Sequence, residues 1–227
     1  MRINKYLADQ GLCTRREADR YIAQGLVYIN GTRAELGSQV QEGDTVETRL
    51  PEMHYRYYAY NKPKGVVTHS PQDGQKGIQD VAGLSGVSPM GRLDKESHGL
   101  IILTDDGRIT ERLLGPDRAH EKEYMVETRE HLPPSFKKRM EQGVNIEGYT
   151  TKPAKVKLLS DTKFSIILTE GKKHQIRRMC AAWGYTIADL KRTRVMNVKL
   201  HPLQSGQFRA IKGLELKEFL QSLGLSN

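Results

Sequence analysis

From Tyr57 onward the chain interleaves short β-type runs with helical patterns at irregular intervals, and this irregularity limits the fold more than any other feature. Residues 57–60, 100–104, 123–127, 163–169 and 195–200 read as strands, while 109–114, 135–142 and 175–183 carry helical periodicity. A doubly wound parallel sheet needs a strict strand-helix-strand rhythm, which is missing. The expected fold class is α+β, built on a mixed, largely antiparallel sheet. A chain of 227 residues has room for one such domain and a small companion.

Residues 1–50 read as that companion: helix, helix, hairpin. Asn4 is expected to cap a short helix ended by Gly11. Thr14 and Glu17 form a capping box that opens a second helix, ended by Gly25. Val27-Tyr28-Ile29 runs into Asn30-Gly31, the strongest short hairpin signal, and Gly43-Asp44 marks another turn. Residues 51–56, with Pro51, read as the linker, which leaves 57–227 for the larger domain.

The 36 Lys and Arg against 27 Asp and Glu give a net charge of +9. The first fifty residues hold seven of each sign, so the whole excess belongs to the larger domain, which should dominate long-range attraction of a polyanion. Charge that merely solubilises would look the same. Arg16 and Arg20 lie one helical turn apart, with Arg15 beside them, and form a basic edge on the neutral module. A solvated helix face explains that edge equally well. No apolar stretch approaches the roughly 18 residues of a membrane span, and the N-terminus leads directly into a patterned helix, so neither a membrane anchor nor export is expected. Cys13 and Cys180 form no CxxC pair, and the seven His lack ligand spacing, so a reducing cytoplasm with no metal and no cofactor is the expectation.

Two stretches could carry chemistry. In the first, Asp94 sits in a polar loop just before the apolar run Leu100-Ile101-Ile102-Leu103, and strand-end loops are where catalytic groups concentrate. A carboxylate between Arg92 and Lys95 weakens phosphate attraction, so it needs a structural or a chemical reason. In the second, Ile176, Met179, Cys180 and Trp183 follow i, i+3, i+4, i+7 and read as a core stripe. Lys172 and Lys173 fall at the start of that helix, where cations are unfavourable unless an anion is bound. Arg177, beside the stripe, could reach an internal partner such as Asp94, while Arg178 can turn to solvent. Tyr124 lies in an alternating strand, where tyrosine is usually sheet packing.

Taken together, these residues resemble the bacterial ribosomal RNA pseudouridine synthases of the Rsu type. The resemblance covers essentially the whole chain: residues 1–50 look like the αL RNA-binding module shared with small-subunit ribosomal protein four, and Asn61-Lys62-Pro63-Lys64-Gly65 is similar to the family's first motif. Gly91-Arg92-Leu93-Asp94 with Gly99-Leu100 looks like the catalytic motif, and Lys173-His174-Gln175-Ile176-Arg177-Arg178-Met179 like the basic helix motif. The resemblance implies Asp94 as catalytic carboxylate, Tyr124 on the target base, Arg177 as partner of Asp94, and Arg92 as a helper in extruding the nucleotide. It further implies substrate contacts from Lys62, Lys172, Lys173, Gln175 and Arg178, and from Arg15, Arg16 and Arg20 of the module. Segments 120–126 and 192–198 look closest to the branch acting on large-subunit ribosomal RNA. The implied partner is ribosomal RNA or a pre-ribosomal particle, and the implied enzyme a monomer.

In that reaction uridine breaks its N1 glycosidic bond, turns, and rejoins ribose C1′ through C5 without losing an atom. One ionised carboxylate can start it, by attacking C1′ or by removing a ribose proton, and the sequence leaves both open. Two other classes remain to be discriminated. A non-catalytic ribosome-binding factor would make Asp94 purely structural. A methyltransferase would need a glycine-rich loop after a strand, and Gly83-Leu84-Ser85-Gly86 lacks that setting. A synthase for small-subunit or transfer RNA is the nearest alternative within the class.

Overall fold

The structure is a computed structural model that describes residues 1–115 and 118–225. Helices α1 (Ile3–Asp9) and α2 (Arg15–Ala23) lead into a three-stranded antiparallel sheet of β1 (Val27–Ile29), β2 (Thr32–Arg33) and β3 (Val46–Thr48). The capping box of α2 forms as the sequence predicts: Thr14 Oγ1 accepts from the Glu17 amide at 3.2 Å, and the Glu17 carboxylate accepts from the Thr14 amide at 2.8 Å. Asn30 and Gly31 take the positive φ angles, 50° and 74°, that a two-residue hairpin needs. Asn4 departs from expectation. Arg2 is the N-cap of α1, and Asn4 lies inside the helix, donating to Asp19 Oδ1 at 2.8 Å and so tying α1 to α2. Ile3, Leu7, Ala18, Ile22 and Val27 make a small core of the module's own.

The remaining described chain runs β4 (Tyr57–Lys62), α3 (Ile78–Val81), β5 (Ser88–Met90), β6 (His98–Thr104), α4 (Ile109–Leu114), β7 (Lys122–Thr128) and α5 (Ser135–Glu141). It continues with β8 (Asn145–Ile146), β9 (Tyr149–Thr150), β10 (Lys155–Leu158), β11 (Lys163–Leu168) and α6 (Gln175–Ala181). The last elements are β12 (Ile187–Val195), β13 (Val198–Lys199), β14 (Phe208–Ala210) and α7 (Gly213–Ser222). The main sheet has the order β10-β11-β7-β12-β6-β4-β14, with β13 paired to β12 and β5 to β6; β8 and β9 form a separate hairpin. Among the described residues its one parallel pairing is β12 with β6, so the fold is α+β with a mixed, largely antiparallel sheet.

That parallel pairing is the seam between two cores. On one side Leu100, Ile102, Phe219 and Leu220 pack β6 against α7, while Ile101 and Leu103, alternating to the opposite face, meet Tyr60 and Ile78. On the other side Val126, Phe164 and Ile166 pack against Phe136 and Met140 of α5 and against Ile176, Met179 and Cys180 of α6. Burying Ile176 and Met179 fixes α6 to the sheet by about 1.5–3 kcal/mol each. Burial pushes the Cys13 thiol up to about 11 and the Cys180 thiol up to about 12, as expected of packing groups. Gly99 lets the seam close: at φ 102° it runs so near β12 that a Cβ would lie 2.3 Å from the Arg192 carbonyl oxygen.

Two expectations fail on this side. The strand placed at 195–200 is a hairpin in which β12 ends at Val195, Met196 turns with φ 53°, and β13 begins at Val198. Trp183 does not extend the core stripe. The helix stops at Ala181, and Trp183 is 42% exposed with the Arg139 guanidinium 4.9 Å above its ring.

Candidate active site

Residues 91–97 form the loop that delivers Asp94, held from below at several points. The Thr68 hydroxyl donates to the Leu93 carbonyl at 2.7 Å and accepts from the Leu93 amide at 3.1 Å. The Gly65 amide donates to the Lys95 carbonyl at 2.8 Å, and the Ser97 amide closes a turn onto the Asp94 carbonyl at 3.0 Å. Lys62 is fully buried at the end of β4, and its ammonium donates to the carbonyls of Pro63 at 2.8 Å and Val66 at 2.7 Å. Burial lowers its pKa to about 8. The expectation that Lys62 touches substrate is therefore corrected: its donors are spent on the loops around Asp94. On the outer flank Asp189 of β12 pairs with Lys64 and accepts from His98 at 3.0 Å, clamping the two loops that meet there.

Asp94 is left half-buried at the edge of a cleft of about 830 Å³. Its carboxylate lies 3.4 Å from His174 Nδ1 and has no other ion-pair partner among the described residues. The expected Asp94–Arg177 pair is not formed. Arg177 instead donates to the Glu96 carbonyl at 3.3 Å and approaches the Ser97 hydroxyl at 3.4 Å, gripping the far end of the same loop. His174 occupies the N-cap of α6 in a left-handed conformation, φ 52°, a cost a non-glycine residue bears only where its surroundings fix it.

The rest of the basic motif divides. Lys172 and Lys173 line the cleft and are exposed, but they precede the first turn of α6, so the helix-start argument for a bound phosphate does not apply to them. Lys172 Nζ stands 4.4 Å from the Tyr149 ring centroid. Gln175 is buried, with Oε1 accepting from the Lys172 amide at 2.9 Å and Nε2 donating to Glu170 at 2.8 Å. It braces the loop before α6, and its amide is not free for substrate. Arg178, expected to face solvent, binds the Ile146 carbonyl at 3.0 Å and Glu147 at 2.8 Å on the β8–β9 hairpin.

The inner wall comes from strands. Tyr124 of β7 lines the cleft directly opposite Arg192 of β12 in the antiparallel register, so the two side chains stand on one face about 5 Å apart at Cβ. Lys122, two residues earlier on the same face, also lines the cleft; burial, and then the Arg192 charge, lower its pKa. Sequence reasoning assigned no role to either Lys122 or Arg192. Lys122 opens β7, and Arg192 lies among Asp189, Lys191 and Arg194 in β12, so no local pattern set either residue apart. Arg92 is exposed on the rim, and its carbonyl accepts from Arg192 Nη1 at 3.4 Å.

Arg15, Arg16 and Arg20 are exposed on α2 and are not part of the cleft. The module is tied to the larger part by two arginines: Arg108 donates to the Gly11 carbonyl at 3.1 Å, and Arg112 to the Asp9 carbonyl at 2.8 Å.

A β6–β12 seam with a pinned loop carrying Asp94 and a basic inner wall has a counterpart among known proteins. Residues 56–182 match the family described as RNA pseudouridylate synthase and residues 1–46 the S4 domain; the chain belongs to the RNA pseudouridine synthases, which are isomerases, and carries an S4 RNA-binding domain. It is 42% identical over 223 residues to the dual-specificity RNA pseudouridine synthase RluF of Escherichia coli (strain K12), covering 95% of this chain and 77% of that protein. It is 31% identical to the ribosomal large subunit pseudouridine synthase B of Bacillus subtilis (strain 168), covering 95% and 94%. A crystal structure described as a pseudouridylate synthase superposes with a TM-score of 0.70 at 29% identity, over 98% of this chain and 99% of that one. No helix among the described residues is long and apolar enough to cross a membrane.

Proposed function

We propose that the enzyme isomerises a uridine of large-subunit ribosomal RNA, with Asp94 as the catalytic carboxylate. The observation that carries the reading is the placement of Asp94: a half-buried carboxylate on a loop pinned by Thr68, Gly65 and Arg177, at the mouth of a cleft walled by cations. Such a wall draws a phosphate backbone towards the carboxylate. Large-subunit RNA is favoured by the relative from Bacillus subtilis, and a second class of RNA calls for a parallel test because the Escherichia coli relative is named dual-specificity.

A base inside a helix must leave its stack to reach Asp94, at a cost of a few kcal/mol, and stacking on an aromatic ring returns about 1–3 kcal/mol. Tyr124 supplies that ring, and Arg92 on the rim fills the gap left in the helix. Lys172 and Lys173 hold the flanking backbone. Arg177 acts through the loop, as a positioning residue. Residues 1–50 form the RNA-binding module, 51–56 the linker and 57–227 the catalytic domain of a monomer working in the cytoplasm. Carbodiimide mapping of pseudouridines in total RNA from cells with and without the gene tests the substrate assignment: one large-subunit signal should vanish, and loss confined to small-subunit RNA would overturn it.

A further inference from the structure

Arg192 is 4% exposed and lines the cleft, yet it has no acidic partner among the described residues. Its Nε donates to the Leu100 carbonyl at 2.7 Å and its Nη1 reaches the Arg92 carbonyl at 3.4 Å, while Nη2 has no protein partner among the described residues. A buried guanidinium carries a large desolvation cost, and two neutral carbonyls compensate it only in part. The position is central: in register, Arg192 stands beside Tyr124 on β7 and beside Gly99 on β6, the strand that follows the Asp94 loop. Because Gly99 has no side chain, nothing on β6 covers the guanidinium at that level. Lys122 adds a second cation on the same face. Residue 192 also lies beyond the span 56–182 matched to the family.

We propose that Arg192 is a further catalytic residue, whose free Nη2 donates to a carbonyl oxygen of the target uracil and stabilises the negative charge that the ring acquires when it leaves the ribose. The proposal rests on the uridine-isomerising reading above. When the N1–C1′ bond breaks, its electron pair stays with the base, and uracil becomes a monoanion shared between N1 and the two carbonyl oxygens. C1′ gains the Asp94 carboxylate or, alternatively, the ribose loses a proton to it. C5 then bonds to C1′, the Asp94 link or the proton transfer is reversed, and the C5 proton moves to the solvent or a base while N1 regains one. Turning uracil about its N3–C6 axis exchanges N1 with C5 and O2 with O4. A donor fixed in the wall therefore meets O2 before the turn and O4 after it, and the charge keeps a partner throughout. Low local dielectric makes such a charge-assisted bond stronger than it would be in water.

The test compares single-turnover cleavage of the N1–C1′ bond in a synthetic RNA carrying the target uridine with the same RNA carrying 5-fluorouridine, whose base is more acidic and needs less help to leave. Wild type, Arg192→Met and Arg192→Lys are each measured on both. Arg192→Met should slow uridine by roughly 10- to 100-fold, the loss of one charge-assisted hydrogen bond, and 5-fluorouridine distinctly less, with Arg192→Lys between. Each ratio is taken within one preparation, so a misfolded fraction cancels. Equal slowing of both substrates in Arg192→Met, complete loss included, would overturn the proposal and leave Arg192 as a strut beneath Leu100 and Arg92. The reading it rests on is judged separately, by whether wild-type enzyme converts the uridine RNA at all.

Discussion

The cations of the cleft, of the loops beneath it and of the N-terminal module fall into two groups that differ in how they are satisfied. Lys62 and Arg192 are buried within strands, Lys122 is partly so, and all three donate to backbone carbonyls where an acidic partner would be the commoner solution. Arg92, Lys172 and Lys173 on the rim, with Arg15, Arg16 and Arg20 of the module, are exposed on loops or a helix face. Carbonyl partners orient a charge without cancelling it, so the inner group keeps a positive potential behind Asp94 that solvent ions reach poorly. The outer group is screened within a Debye length of about 8 Å at physiological salt. Inner cations should therefore govern chemistry and stability, and outer ones salt-dependent affinity.

The sharpest contrast comes from Asp94→Asn. It keeps the shape of the side chain and removes the Asp94 carboxylate from the cleft edge, so pseudouridine formation should fall below detection while RNA binding stays equal or rises. Single-turnover product from this variant would show that the inner potential serves something other than Asp94. Arg177→Met comes next. Since its guanidinium grips Glu96 and Ser97 and does not touch the carboxylate, kcat should drop while the shape of the pH profile is retained. Recovery in alkali would mean that an Asp94–Arg177 pair forms once RNA is bound.

Tyr124→Phe preserves a ring for stacking and should bind normally, but it removes the hydroxyl, a candidate acceptor of the C5 proton, so turnover should slow only after the glycosidic step. Tyr124→Ala should lose in addition about 1–3 kcal/mol of binding. Comparable rates for the two variants would return Tyr124 to ordinary strand packing. Lys62→Met probes stability. Leaving the Pro63 and Val66 carbonyls unpaired costs about 1–3 kcal/mol. The sign of the pH dependence is fixed by the pKa: at about 8 when folded against 10.5 ordinarily, the burial penalty on the charged lysine is complete below pH 8 and gone above 10.5. The wild type should gain on Lys62→Met as pH rises across that window, measured by urea unfolding. A constant difference would place the Lys62 ammonium in water.

Much of this arrangement was legible before the structure. The apolar run of β6 and the polar loop before it located Asp94, and the capping box and Asn-Gly turn outlined the module. What stayed hidden depended on contacts distant in sequence. β12 was missed because Asp189, Lys191, Arg192 and Arg194 break up its alternation, although the sheet pairs it on both sides. Trp183 continued the i, i+7 arithmetic past the point where the helix ends. Lys62 and Gln175 sit in polar motifs that look solvent-facing, and only the folded loops show their donors and acceptors turned inward. The left-handed His174, which brings an imidazole to Asp94, carries only the weak preference of histidine for that conformation.

The smallest predicted effect separates the outer group most cleanly. Deleting residues 1–50 would leave Arg108 and Arg112 without the Gly11 and Asp9 carbonyls they bind, and would confuse lost stability with lost contacts. The better variant is the triple Arg15→Gln, Arg16→Gln, Arg20→Gln, which alters exposed side chains and, of the described ion pairs, only the loose Glu17–Arg20 pair at 3.8 Å. Each phosphate contact released should lower the slope of log affinity against log salt by about one unit. Backbone contacts away from the cleft set register, so the target RNA should lose more affinity than a scrambled one, while single-turnover chemistry on bound RNA stays unchanged. Titrations of both RNAs across a salt series check this. An unchanged slope would make the basic edge of α2 a solvated face, and a loss of single-turnover rate would show that the outer cations reach into the chemistry after all.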